Sequence, residues 1–134
     1  MSKILVIDDD TIVRQWLTVI LEDAGYEVVS AEDGKCGMAA FRSEHPDLVI
    51  THIIMPEQEG IQTITEIRGV NPDAKIIAIS GGGRIGNTDF LKIARVVGAM
   101  DVIPKPFDAG ALLTIVENCL AVQARDSGSE GLVA

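Results

Sequence analysis

Ile4-Leu5-Val6-Ile7-Asp8-Asp9-Asp10 is an unbroken apolar run that ends in three consecutive acids. A run this short, with an apolar residue at every position, fits a strand buried on both faces, as in a parallel sheet. From Thr11 onward Ile12, Val13, Trp16, Leu17, Ile20 and Leu21 recur at spacings of three and four. That is the period of an amphipathic helix over 11–24, with Gly25 as its stop and Trp16 on the core-facing stripe. The alternation continues outward in both kinds of period. Further strands are predicted over 26–31, 48–51, 76–79 and 102–103. Further helices are predicted over 35–44, 61–68, 89–97 and 108–123, the last carrying Leu112, Ile115, Val116, Cys119 and Leu120 on one face. His45, before Pro46, falls in a connecting loop at the surface. Five strands alternating with five helices imply an α/β fold, a doubly wound parallel sheet of the form (βα)5 covered on both sides. Right-handed crossovers leave few topologies, of which the strand order 2-1-3-4-5 is the common small one.

With 134 residues the chain suits one domain, large enough to bury roughly two-thirds of its unfolded surface. No apolar run approaches the ~20 residues of a membrane span. Met1-Ser2-Lys3 leads straight into the first strand without a leader pattern, and a cytoplasmic protein is expected. Cys36 and Cys119 lack metal or redox spacing, which predicts two reduced, buried thiols. The formal net charge is −9, and the 11 basic residues are spread singly. Phosphate repulsion then disfavours binding to nucleic acid or to an anionic membrane. Residues 124–134 include Asp126-Ser127-Gly128-Ser129-Glu130-Gly131, small and polar, and are predicted to be a disordered tail.

Ligands of open parallel sheets bind outside the carboxyl ends of the strands, which directs attention to Asp8, Asp9 and Asp10. Capping the next helix accounts for one acid, Asp10. Three exceed what a cap needs, and their mutual repulsion is relieved if a cation shares the site, which makes Asp8 and Asp9 candidate metal ligands. Three other stretches join them: Asp47-Leu48-Val49-Ile50-Thr51-His52-Ile53-Ile54-Met55-Pro56-Glu57-Gln58-Glu59-Gly60, then Ser80, then Ile103-Pro104-Lys105-Pro106-Phe107. Together they resemble a response-regulator receiver domain of two-component signalling, of the single-domain type, over residues 3–123. The resemblance implies a flavodoxin-like fold, with residues 1–123 as the receiver domain. It sets His52 at the position of the aspartate that accepts a phosphoryl group. It implies that Ser80 hydrogen-bonds that group and that Lys105 pairs with the acids and then with phosphate. A cis Lys105–Pro106 bond is implied too. Mg²⁺ would be held by three carboxylates and the backbone carbonyl of Ile54.

Two positions depart from the family pattern. An imidazole at position 52 cannot form an acyl phosphate, although histidine can carry phosphate on nitrogen. It also replaces one hard oxygen donor, and Mg²⁺ prefers oxygen in near-octahedral geometry. Two carboxylates with an imidazole suit Zn²⁺ or Mn²⁺ better, so Mg²⁺ is expected to bind weakly or not at all. In a metal-free pocket His52 is expected to hydrogen-bond Asp8 or Asp9 and to titrate near neutrality. The second departure is Val102, where receivers usually carry a Tyr or Phe that changes rotamer on activation. Valine is stiff at χ1 and has no ring to swing.

Gly81-Gly82-Gly83-Arg84-Ile85-Gly86 matches G-x-G-x-x-G, with Asp101 twenty residues beyond Gly81. Its context argues against dinucleotide binding. The motif follows the fourth strand rather than the first, and Asp101 begins a strand, away from the ligand side. A loop beside the acidic corner is the simpler reading. In receivers the face built from the helix at 89–97, the fifth strand and the last helix commonly docks partners, so Arg84, Ile85 and Phe90 are candidate contacts.

The expected function is that of a stand-alone receiver domain, not an enzyme, that has lost aspartyl phosphorylation and acts by protein–protein interaction. Its implied partners are a histidine kinase or phosphotransferase and a target protein. The alternative is phosphotransfer that persists through His52 or a neighbouring hydroxyl, Thr51 or Ser80. If His52 is itself a substitution, its parent would carry aspartate and ordinary phosphotransfer.

Overall fold

A computed structural model describes residues 2–53, 59–80, 101–104 and 108–121, and of residues 52, 53, 59–61, 80 and 101–104 it describes the backbone only. The elements are β1 (Lys3–Ile7), α1 (Thr11–Asp23), β2 (Glu27–Ala31), α2 (Gly34–Glu44), β3 (Leu48–Ile53), α3 (Glu59–Val70), β4 (Ile76–Ser80), β5 (Asp101–Pro104) and α4 (Ala109–Ala121). The strands form one sheet in the order β2-β1-β3-β4-β5, and every pairing is parallel. The doubly wound fold and its 2-1-3-4-5 order are therefore as predicted. The helix expected over 89–97 and the tail at 124–134 lie outside the described residues. Among the described residues no helix is long and apolar enough to cross a membrane.

The described side chains of β1, β3 and β4 alternate and build two cores, one on each face of the sheet. Leu5, Ile7, Val49, Ile76 and Ala78 meet Met38 and Phe41 of α2 and Ile64 and Ile67 of α3. On the opposite face Ile4, Val6, Leu48, Ile50, Ile77 and Ile79 meet Leu17 and Leu21 of α1 and Leu112, Val116 and Cys119 of α4. Gly37 lets α2 lie directly on β1, because a Cβ there would stand 2.5 Å from Cδ1 and 2.9 Å from Cγ1 of Ile7. Gly25 ends α1 with φ 99°, and His45 caps α2 with φ 50°, its exposed ring before Pro46. At the amino-terminal edge of the sheet, Lys3 Nζ pairs with Glu44 at 3.0 Å and Glu27 at 3.8 Å. The backbone N–H of Lys3 donates to Asp47 Oδ2 at 2.8 Å.

Two expectations are corrected. Trp16 is 41% exposed rather than in the core, together with Ile12 at 74% and Val19 at 60%. The apolar residues of α1 cover a wider arc than the sheet can bury, and Leu17 and Leu21 take the buried side. Of the two cysteines only Cys119 is buried; Cys36 is exposed in the first turn of α2, whose buried side is held by Gly34, Gly37, Met38 and Phe41. A third difference bears on the site: β3 continues past Thr51 to Ile53 and so takes in His52.

Candidate functional site

Because all five strands run the same way, their carboxyl ends share one edge. Ile7 pairs with Ala31 and Thr51, His52 with Ile79, Ile53 with Ser80, and Ser80 with Pro104. This register brings the end of β1, the backbone of His52 and the backbone of Ser80 to the same border of the sheet. Val102 lies within β5, its backbone opposite Ala78. Lys105, Ile54 and the proposed contacts Arg84, Ile85 and Phe90 lie outside the described residues.

Asp8 follows β1 directly and is 2% exposed. Its backbone N–H donates to the carbonyl of Ala31 at 3.1 Å, extending the β1–β2 pairing by one step. Its Oδ1 accepts the N–H of Asp10 at 2.8 Å, and its carbonyl oxygen accepts Nη1 of Arg14 at 2.7 Å. Asp10 is the N-cap of α1, with Oδ1 accepting from the N–H of Ile12 at 2.9 Å and of Val13 at 3.4 Å. Asp9, between them, is exposed. The division anticipated from sequence holds for Asp10 as the cap. Thr51 is 1% exposed at the end of the described β3 side chains. Arg14 was not singled out by sequence reasoning. The signal available was its place one turn beyond the N-cap of a helix that starts at an acidic strand end.

Asp8 and Asp9 are hard oxygen donors and fit a divalent cation in kind. Among the described residues, however, the acids after β1 do not gather three ligand atoms by themselves. The one such group is Glu32, Asp33 and Cys36, whose ligand atoms lie within 4.8 Å of one another. The further donors that the family resemblance implies, residue 52 and the carbonyl of Ile54, lie outside the described side chains. The Glu32–Asp33–Cys36 group is poorly built for a metal. Asp33 caps α2 by accepting the N–H of Cys36 at 2.7 Å. That backbone bond, with the side-chain bond to Cys36, holds the Asp33 carboxyl below the ordinary range. The same carboxylate pushes the Cys36 thiol up, away from the thiolate a metal requires.

The response regulator receiver domain model matches residues 4–117, and the chain belongs to that family. It is 35% identical over 119 residues to the chemotaxis protein CheY of Bacillus subtilis (strain 168), covering 88% of this chain and 97% of that protein. To the chemotaxis protein CheY of Thermotoga maritima it is 38% identical over 107 residues, 79% of this chain and 87% of that one. A receiver domain protein (CheY-like) from Methanospirillum hungatei JF-1 superposes with a TM-score of 0.81 at 28% identity, over 90% of this chain and 94% of the other. Receiver domains belong to two-component signalling, typically bind Mg²⁺, and interact with histidine kinases or phosphotransfer proteins.

Proposed function

We propose that this chain is a receiver domain in which His52 stands in for the phosphoaccepting aspartate, so that it works by binding partner proteins rather than by aspartyl phosphorylation. The observation that carries this reading is the identity of residue 52, a histidine within β3 paired with Ile79, at the edge where Asp8 and Ser80 also end. Acyl phosphate formation needs a carboxylate oxygen as nucleophile, and the imidazole has none. A bound divalent cation would neutralise charge on a phosphoryl group. Asp8 and Asp9 would hold such an ion, but with imidazole in place of the third carboxylate, affinity for Mg²⁺ falls. The exposed Ile12, Trp16 and Val19 of α1 support a binding role, since they form an apolar stripe at spacings of four and three.

Phosphotransfer through Thr51 is disfavoured, because its side chain is 1% exposed and faces no solvent from which a donor could reach it. Phosphorylation on His52 or Ser80 is the remaining alternative. Incubation with a labelled acyl-phosphate donor, with and without Mg²⁺, separates the readings. No stable label is expected on the chain as it stands, and an alkali-labile label is expected on His52→Asp. Acid-labile, alkali-stable label on the unaltered chain would instead establish phosphohistidine and end the binding-only reading.

A further inference from the structure

We propose that Arg14 is the positioning residue of the acidic corner, holding the Asp8 peptide so that its carboxylate stays aimed across the β1–α1 turn. The inference rests on the reading that this corner is the chain's functional site. Asp8 lies one residue past β1 and is almost fully buried. A buried carbonyl needs a donor. Arg14 supplies it from the second turn of α1, with Nη1 2.7 Å from the Asp8 oxygen and Nη2 3.4 Å from Thr11 Oγ1. The guanidinium thus spans the strand end and the first turn of the helix. A charged donor makes a stronger bond than a neutral one, and the planar fork fixes direction as well as distance.

The consequence runs through one residue, held at both of its flanking peptides. With its oxygen clamped by Arg14 and its N–H by Ala31, the Asp8 backbone cannot rotate, and Oδ1 keeps the Asp10 N–H at 2.8 Å. Arg14 is also a cation against the Asp8 backbone, so it bears on a divalent ion in two opposing ways. Its charge repels the ion, whereas its clamp orders the ligands. The clamp is expected to win, because the guanidinium contacts the carbonyl rather than the carboxylate and is partly exposed, where water screens its charge.

The test uses the full chain with Arg14→Met and Arg14→Lys, read by amide hydrogen exchange and by Mn²⁺-induced broadening of NMR signals. Loss of the clamp should speed exchange at the Asp10 amide by about tenfold, the size of one charge-assisted hydrogen bond, with Leu5 and Val6 in β1 unchanged. Where the parent binds Mn²⁺, affinity should fall in both variants, since neither side chain reproduces the fork. Unchanged exchange at Asp10, or equal acceleration at Leu5 and Val6, would overturn the proposal, the latter by reducing Arg14 to a general stabiliser. Tighter Mn²⁺ binding by Arg14→Met would overturn it too, by showing that charge outweighs clamp. A parent that binds no Mn²⁺ would count against the metal reading of the corner while leaving Asp10 exchange to decide the role of Arg14.

Discussion

Asp8 and Asp33 occupy equivalent junctions, each just past a strand end, and their surroundings give them different work. Asp8 is buried and spends Oδ1 on a local N–H, whereas Asp33 is the helix cap itself. The carboxyl of Asp33 is held below its ordinary value of 3.8, first by the Cys36 backbone N–H. A depressed carboxyl favours folding when ionised. Its contribution is therefore complete above about pH 4 and disappears as pH falls through the lower, folded-state value. Thermal melts should show the parent ahead of Asp33→Ala near pH 6 and the two converging under stronger acid; a gap that persists or widens there would contradict the assignment. At this scale the sequence was legible where chemistry is local. Asp10 was readable as a cap because a cap needs only an acid before a helical period. Arg14 was not, because its bond to the Asp8 carbonyl depends on how the strand end meets the helix, which no local pattern shows.

At the scale of single elements, α1 carries the clearest lesson. At roughly 100° per residue, Ile12, Val13, Trp16, Leu17, Val19, Ile20 and Leu21 spread over about 200° of arc, twice the width of an ordinary core stripe. The spacing announced a helix correctly, but an arc that wide cannot all face the sheet. Reading every apolar position as core placed Trp16 inside. The sheet sets the choice, burying Leu17 and Leu21 and leaving Ile12, Trp16 and Val19 outward. Equilibrium denaturation should separate the two sides. Leu17→Ala is expected to cost about 2–5 kcal/mol through its cavity, and Val19→Gln to stay within about 0.5 kcal/mol. Comparable losses at both sites would mean that α1 is covered in solution. Cys36 follows the same logic in α2, where Gly37 and Met38 take the buried side and the thiol is left outside.

For the whole molecule, alternation of period and the continuous apolar runs made a parallel, doubly wound sheet readable, whereas its 2-1-3-4-5 order was taken as the common small arrangement rather than derived from the pattern. The edges were less readable. Lys3 joins β1, β2 and the end of α2 through Glu27 and Glu44, contacts separated by 24 and 41 residues in sequence. The side-chain bond to Glu44 is the main reason its ammonium is raised above 10.5. A raised lysine stabilises the fold while charged, so this contribution is complete below about pH 10.5 and is lost as pH climbs through the folded-state value. Lys3→Met should accordingly be less stable than the parent at neutral pH, the difference narrowing in strong alkali. A difference independent of pH would assign the effect to packing of the lysine stem instead.

The outward turn of α1 has a practical consequence. Trp16 is the chain's single tryptophan, and it stands on the apolar stripe, two residues beyond the arginine that clamps the acidic corner. The tryptophan emission of the protein therefore originates at one surface position. A partner that covers α1 should shift that emission to the blue and protect it from a soluble quencher, whereas one that docks elsewhere should leave both unchanged. The molecule carries its own optical label for the face on which its binding is proposed.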